Sequence, residues 1–353
     1  MGLPEPRADL ALRPGYHSPQ VEVAVRLNTN ESPLPPPQAW LEAIGREVAS
    51  IEYNRYPDRR ATALRGALAD LHGVGLEQVF CANGSNEVLQ SLCLAYGGPG
   101  RSAAVFEPTY ALHSHIAHLT GTAVVEAERR PDFTLDLDVV RDVLDGGAPA
   151  ITFLCSPNNP TGLAEPPATV RSVLGAAPGL VVVDEAYGQF ADWSALSLVA
   201  DDAPLAVTRT FSKTWSMAAA RLGYLVGPAP VVAALERVAL PYHLDAVKQA
   251  AGRLALRFVG EMEQRVALIV CERHRVVTAL GAMPVTVWPS QANFVLFRPR
   301  NRKGGEVWQG LLDRSVLVRN TSSWPRLAGC LRVTVGSPSD NDAFLAALME
   351  VLS

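Results

Sequence analysis

Seven short apolar runs between residues 78 and 227 constrain the fold of this chain more than any other feature of its sequence. Several are almost entirely apolar, as in LVVVD at 180–184, which is typical of strands buried on both faces of a parallel sheet. Segments with helical spacing, such as 87–96 and 168–176, lie between them. The alternation predicts βαβ units and an α/β fold. The predicted strands are 78–83, 102–108, 122–128, 150–157, 180–186, 205–211 and 222–227.

The remainder of the chain has a different pattern. Residues 1–35 look irregular, and helical spacing begins at about residue 38. A long helical zone at about 229–280 is followed by three strand-like runs, QANFVLFRP, VLVRN and CLRVTVG, and by the helical run NDAFLAALMEVL. This tail predicts a smaller lobe of α+β character.

Composition excludes several classes of protein. With 48% hydrophobic and 19% charged residues in 353, the chain is typical of a globular protein with a large core. A formal net charge of −4 gives no basic surface for nucleic acid. The five cysteines form no CxxC pair, so we expect reduced thiols and no structural zinc. The N-terminal stretch has no continuous apolar region and no run approaches the length of a membrane span, so we expect a cytoplasmic protein.

Two motifs follow predicted strands, at the edge where open α/β sheets bind ligands. NGSNE at 83–87 could hold a phosphate on the N–H groups of a helix N-terminus, or could be an ordinary helix cap. CSPNNPTG at 155–162 is a rigid turn whose asparagine amides can donate hydrogen bonds to a ligand, or a turn without a function.

Two charged residues suggest catalytic chemistry at the same edge. Asp184 ends a strand of valine and leucine, where a buried carboxylate requires a cationic partner unless it caps a helix. Lys213, between Ser212 and Thr214, is either a solvated surface lysine or a desolvated amine with a lowered pKa that can form Schiff bases. Arg221 supplies a charge suited to a phosphate.

Other motifs exclude rival chemistries. The chain has no GxGxxG after its first strand, no GxxxxGK[ST], no GxSxG and no HExxH. His113, His115 and His118 lie in the helical stretch YALHSHIAHL with no carboxylate beside them in sequence. We therefore predict packing or surface positions for these histidines and no metal site.

The motifs occur together in one order along the chain. NGSNE, SPNNPTG, DEAY and SK…R are joined by LNTNESP (27–33), NRYPD (54–58), EPTY (107–110), PSQANFVLF (289–297) and LRVTVG (331–336). Together they resemble the fold-type I pyridoxal 5'-phosphate (PLP)-dependent aminotransferases and, more narrowly, the histidinol-phosphate aminotransferase family, from about residue 16 to the C-terminus.

The resemblance implies a domain organisation. A large PLP-binding domain at 46–255 would contain a mostly parallel seven-stranded sheet flanked by helices. A smaller α+β domain would span 256–353, and the segment 1–45 would contribute to it and to closure of the active site.

The resemblance also implies roles around the cofactor ring. Lys213 corresponds to the lysine that binds PLP covalently and moves the proton during ping-pong transamination through internal and external aldimines. Asp184 corresponds to the partner of the pyridine nitrogen. Asn159 and Tyr187 correspond to donors to the phenolic oxygen, with Tyr187 also counted among the catalytic residues, and Tyr110 to the aromatic residue that stacks on the ring.

The remaining implied roles concern phosphate, subunit contact and substrate. The predicted phosphate-binding residues are Ser85, Asn86, Thr210, Ser212 and Arg221. Tyr56 would reach the phosphate from the neighbouring subunit of a homodimer. The predicted substrate-binding residues are Tyr16, Asn30, Asn159, Arg319 and Arg332, of which the two arginines would bind the anionic group.

The implied reaction is histidinol-phosphate:2-oxoglutarate transamination in histidine biosynthesis. Alternatives are an aromatic amino acid aminotransferase, a threonine-phosphate decarboxylase-like enzyme, and a non-catalytic scaffold. The sequence departs from the family pattern at Asn86, where an acid is more common, and in the segment NTSSWPRLAGC at 320–330.

Overall fold

A computed structural model describes residues 3–5 and 20–353. Tyr16 lies outside the described residues. The described strands are β1 (Val25–Leu27), β2 (Val79–Ala82), β3 (Ser102–Glu107), β4 (Ala123–Glu128), β5 (Ile151–Cys155), β6 (Leu180–Asp184), β7 (Leu205–Thr210), β8 (Gly223–Val226), β9 (Val285–Val287), β10 (Phe294–Pro299), β11 (Val316–Asn320) and β12 (Leu331–Thr334).

The described helices lie mostly between these strands. They are α1 (Gln38–Ala49), α2 (Thr62–His72), α3 (Ser85–Tyr96), α4 (Leu112–Leu119), α5 (Leu137–Gly147), α6 (Pro167–Ala176), α7 (Ala229–Val238), α8 (Ala246–Ala255), α9 (Val259–Gly281), α10 (Gly304–Leu312) and α11 (Pro338–Leu352). None of the helices in residues 3–5 and 20–353 combines the length and the hydropathy needed to cross a bilayer.

Seven strands form a large sheet in the order β2-β8-β7-β6-β5-β3-β4, which confirms the predicted α/β fold. β8 runs antiparallel to β2 and β7, and the neighbouring pairs from β7 to β4 are parallel. Both faces of the sheet are covered. Val182 of β6 packs in a cluster with α3, α4 and α7, whereas Val181 and Val183 pack in a cluster with α5 and α6.

Burial on both faces explains the apolar runs of β5 and β6, because every position of these two inner strands is buried. The parallel pairing of β5, β6 and β7 places the carboxyl ends of these strands at one edge of the sheet. The turn that contains Asn159, the side chain of Asp184 and the loop that carries Lys213 therefore meet at that edge.

The second sheet has the order β1-β11-β12-β10-β9. β1 pairs with β11 in parallel, and its three residues were part of the stretch predicted to be irregular. So short a strand has no periodicity to detect, and its pairing depends on a partner about 290 residues away, since Val25 pairs with Val316. The domain boundaries after residues 45 and 255 remain predictions.

Candidate active site

One cavity at the carboxyl edge of the large sheet brings together most of the predicted site residues. Asn28, Thr29 and Trp324, which were not predicted, also line it. The predicted residues that line the cavity are Asn30, Ser85, Asn86, Tyr110, Asn159, Asp184, Tyr187, Thr210, Ser212, Lys213, Arg221 and Arg332.

Lys213 lies in the loop after β7, with its amine inside the protein. Nζ donates a hydrogen bond to the carbonyl oxygen of Thr29 at 3.1 Å and lies 5.7 Å from the centre of the Tyr187 ring. Burial, followed by the positive charge of Arg332, lowers the pKa of Lys213 to about 7. A substantial fraction of the amine is therefore neutral near neutral pH, as a nucleophile requires.

Asp184 is 1% exposed and is held by three donors. Its Oδ1 accepts hydrogen bonds from the backbone N–H of Ala186 at 3.1 Å and from Oγ1 of Thr208 at 3.2 Å. Its Oδ2 lies 3.1 Å from Nε2 of His113. These contacts fix the orientation of a carboxylate that lines the cavity.

His113 is a packing histidine, as predicted, but it also has a polar partner that was not predicted. The prediction rested on the lack of a carboxylate nearby in sequence, but Asp184 reaches His113 from another strand. The imidazole, on α4, is fully buried and stacks on Phe153 with ring centres 4.8 Å apart. His113 lies three residues after Tyr110, at the start of the helix that follows β3. This position in the sequence could have indicated that His113 lies near the site.

Asn159 and Tyr187 each present a donor to the cavity. Arg332 donates to Oδ1 of Asn159, and because a guanidinium only donates, the amide Nδ2 of Asn159 is left for a ligand. Tyr187 accepts a hydrogen bond from Nδ2 of Asn30 at 2.9 Å. Burial raises the pKa of Tyr187 to about 12, so its hydroxyl keeps the proton that it can donate.

The neighbouring Asn158 has a different role from Asn159. Its Nδ2 donates to the carbonyl oxygen of Pro108 at 3.0 Å and to Oγ1 of Thr161 at 2.9 Å, and its Oδ1 accepts from Oγ1 of Thr109 at 3.0 Å. This buried network fixes the turn, so the sequence string SPNNPTG contains one structural and one cavity-lining asparagine.

The N-terminus of α3 forms the opposite end of the cavity. Gly84, at φ 81°, has no side chain with which to cap the first N–H groups of the helix, so these can bind a ligand. A Cβ atom at Gly84 would lie 3.0 Å from Nη2 of Arg221. Arg221 in turn donates to Oγ of Ser212 at 3.3 Å. Glycine, helix N-terminus and guanidinium form a cradle suited to a phosphate dianion.

Tyr110 connects the two ends of the cavity. Its hydroxyl donates to Oδ1 of Asn86 at 3.1 Å, and its ring meets that of His113 edge to face at 5.4 Å. The aromatic ring thus lines the cavity beside both Asn86 and the His113–Asp184 pair.

The donor set fits PLP. Asp184 would face a protonated pyridine nitrogen, the amine of Lys213 an aldehyde, and Asn159 and Tyr187 a phenolic oxygen. The cradle formed by α3 and Arg221 would hold the phosphate. Each group of the cofactor thus finds a side chain of complementary charge or hydrogen-bonding capacity.

Among the predicted residues that the structure describes, two lie outside the cavity lining. Tyr56 is 80% exposed and stacks on Tyr242 with ring centres 4.4 Å apart. Arg319 is buried, and its Cζ lies 5.6 Å from the centre of the Trp324 ring. Trp324 itself lines the cavity, from the segment in which the sequence departs from the family pattern.

Comparison with known proteins agrees with this site. The family of class I and II aminotransferases matches residues 22–348. The histidinol-phosphate aminotransferases of Frankia casuarinae and Thermobifida fusca are each 47% identical, over 96% and 97% of this chain and 88% and 94% of theirs. A crystal structure of histidinol-phosphate aminotransferase from Sinorhizobium meliloti in complex with PLP shares the fold, with a TM-score of 0.85 at 23% identity, covering 94% of this chain and 91% of that one.

Fold, cavity and donor set thus define a PLP-dependent aminotransferase of class I and II. Within that class, the identity over nearly the whole chain is decisive, and the chain belongs to the histidinol-phosphate aminotransferase family.

Proposed function

We propose that this protein transfers the amino group of histidinol phosphate to 2-oxoglutarate. The observation that carries the proposal is the placement of Arg319 and Arg332. They are register partners on β11 and β12, so their side chains project from the same face of the sheet, and Arg332 lines the same cavity as Lys213. Like charges directly opposite each other are unfavourable unless an anion joins them.

The two arginines suit both substrates of the reaction. The phosphate of the donor is a tetrahedral oxyanion and the carboxylate of the acceptor is a planar one. Guanidinium groups bind both with charge-assisted hydrogen bonds. One anion site could therefore serve the donor and the acceptor in turn, as a ping-pong reaction requires.

When bound, PLP supplies an electron sink for the substrate Cα. We assign Asp184 to the pyridine nitrogen, Asn159 and Tyr187 to the phenolic oxygen, and Tyr110 to the face of the ring. Ser85, Asn86, Thr210, Ser212 and Arg221 would bind the phosphate.

Lys213 acts as the base in this proposal. With a pKa of about 7, its Nζ can accept a proton from the substrate Cα and return it without a large energetic penalty. The carbonyl oxygen of Thr29, 3.1 Å away, orients Nζ when the amine is not engaged. Asn30, which donates to Tyr187, would contact the substrate at the same side of the cavity. Tyr16, outside the described residues, remains a predicted substrate-binding residue.

A homodimer is the second part of the proposal. Tyr53, Tyr56, Leu240 and Tyr242 are 68%, 80%, 75% and 41% exposed, an unusual set of large apolar side chains for a free surface. Burial against a second copy would cover them and bring Tyr56 to the phosphate of the partner's site. The five unpaired thiols agree with a reducing, cytoplasmic location.

A substrate panel tests the proposed donor. The purified protein with PLP is given histidinol phosphate, phenylalanine or threonine phosphate, and conversion is followed by cofactor absorbance with 2-oxoglutarate as acceptor. We expect the highest kcat/KM with histidinol phosphate. A preference for phenylalanine of about tenfold or more would overturn the donor assignment. Protein that shows no absorbance of bound cofactor after incubation with PLP and removal of the excess would contradict an enzymatic function.

A further inference from the structure

The segment 321–330 connects the two strands that carry the arginines. Arg319 and Arg332 lie opposite each other at the end of the β11–β12 pair, and the segment folds back from there. The N–H of Trp324 donates to the carbonyl oxygen of Thr321 at 2.9 Å, and the N–H of Leu327 donates to that of Trp324 at 3.2 Å. These bonds fix the backbone on both sides of Trp324.

Trp324 contacts Arg319 and also lines the cavity. Its ring is 5.6 Å from Cζ of Arg319, and Trp324 lines the cavity whereas Arg319 does not. The ring also packs against the apolar cluster formed by Phe133, Leu296, Leu327 and Cys330. The indole is thus held by its neighbours and can in turn fix the guanidinium.

Arg332 has an aromatic partner of its own. Its Cζ lies 5.0 Å from the centre of the Phe294 ring. Each of the two arginines therefore rests on an aromatic face, which attracts the cation. When an aromatic ring contacts the flat face of a guanidinium, the N–H groups in the plane of the guanidinium can still bind an anion. The negative face of each ring also lessens the repulsion between the two charges.

We propose that Trp324 is a positioning residue that holds the Arg319 guanidinium beside Arg332, so that both arginines bind the phosphate of the amino donor. This inference rests on the proposed function for the identity of the donor. The role of Trp324 in holding Arg319 can be tested with any phosphate-bearing ligand.

A matched control is present in the same apolar cluster. Trp288 packs there too, is also partly buried, and has Cζ of Arg298 at 5.7 Å from its ring centre. Trp288 does not line the cavity. Trp324→Leu and Trp288→Leu therefore remove an indole from the same cluster and from an equivalent arginine contact, but only the first affects the site.

The test uses the holoenzyme and inorganic phosphate as the probe. The dissociation constant of phosphate is measured by its perturbation of cofactor absorbance, and the KM of histidinol phosphate by steady-state kinetics. We expect Trp324→Leu to raise both constants about fivefold, with kcat changed less than about twofold. Trp324→Phe should retain most of the affinity, and Trp288→Leu should alter neither constant.

A second variant isolates the role of Arg319. In an Arg319→Ala background, Trp324→Leu should weaken phosphate binding no further, because the two residues act as a unit. An unchanged phosphate dissociation constant in Trp324→Leu, or an equal change in Trp288→Leu, would overturn the inference. If the wild-type enzyme does not convert histidinol phosphate, the proposed donor is refuted. The phosphate titration would still decide the role of Trp324.

Discussion

Nε2 of His113 lies 3.1 Å from Oδ2 of Asp184, and both side chains are almost wholly buried. An ionised carboxylate only accepts hydrogen bonds, so the imidazole must donate from Nε2. His113 stacks on Phe153, which fixes the plane of its ring. The imidazole therefore determines which way Asp184 faces in the cavity.

His113→Phe should weaken PLP binding. The variant keeps an aromatic ring against Phe153 but removes a hydrogen bond to a charged group. We expect the dissociation constant of the cofactor to rise about tenfold, with a lower kcat. A titration of the cofactor-free protein by absorbance measures the first effect.

Two further variants control for the change in α4. His113→Gln, whose amide can still donate, should restore part of the affinity. His115→Phe alters a partly buried histidine of the same helix and should leave cofactor binding unchanged. Equal effects of His113→Phe and His115→Phe would contradict a role through Asp184.

Lys213 should make the stability of the cofactor-free protein depend on pH. Its pKa is about 7 in the folded protein against an ordinary value of 10.5. Between these values the unfolded chain binds more protons than the folded one, so the free energy of unfolding rises with pH. Below pH 7 the lysine is charged in both states, and the penalty for burying it is fully present.

Lys213→Met should remove this dependence. The gain in Tm over the wild type should be largest at about pH 6 and should shrink towards about pH 10. Thermal unfolding of the cofactor-free proteins across this range measures it. Lys303→Met, at a side chain 88% exposed, provides the control and should show no such trend. A gain that grows with pH would contradict the lowered pKa.

Replacement of Arg319 and replacement of Arg332 should have different effects on the KM values and on cofactor absorbance. Arg319→Ala should raise the KM of both substrates about tenfold through loss of charge-assisted hydrogen bonds to the anion. Arg332→Ala should do the same and also shift the pH dependence of cofactor absorbance. The reason is that Arg332 holds Asn159 and donates to the carbonyl oxygen of Asn28 at 3.1 Å.

Steady-state kinetics and absorbance titrations separate these outcomes. Arg298→Ala, on β10 of the same sheet but outside the cavity lining, is the matched control for loss of a positive charge. If Arg332→Ala leaves both the KM values and the spectrum unchanged, Arg332 is not part of the site.

Chains that carry Lys213→Ala should complement chains that carry Tyr56→Ala in a hybrid dimer. Neither Lys213→Ala nor Tyr56→Ala homodimers would contain an intact site. A hybrid of the two chains would have one site with both residues, because Tyr56 of each subunit would serve its partner. We expect hybrids isolated with two affinity tags to regain about half of the wild-type activity at limiting PLP.

The same hybrid also tests the alternative arrangement. If Tyr56 serves the site of its own chain, every site of the hybrid lacks one residue and no activity returns. Lys213→Ala chains paired with wild-type chains provide the control, because such hybrids retain one working site whichever subunit Tyr56 serves.

The strands of the large sheet were predictable because each carries its own signal. A strand covered by helices on both faces is apolar along most of its length, as the four residues before Asp184 in LVVVD are. Lys213, Asp184 and Asn159 could be placed together for the same reason, since parallel strands end at a common edge.

Contacts between distant elements had no such signal. His113 was assigned to a packing or surface position because Asp184 is 71 residues away in sequence, and β1 was missed because it pairs with β11. The sequence by itself determined the α/β fold and the residue types of the site, which are local or periodic properties. Only the tertiary structure decided that Arg319 faces Arg332 and that Trp324 folds back over Arg319. The reason is that strand register and the path of the loop between two strands are set by packing across the whole chain.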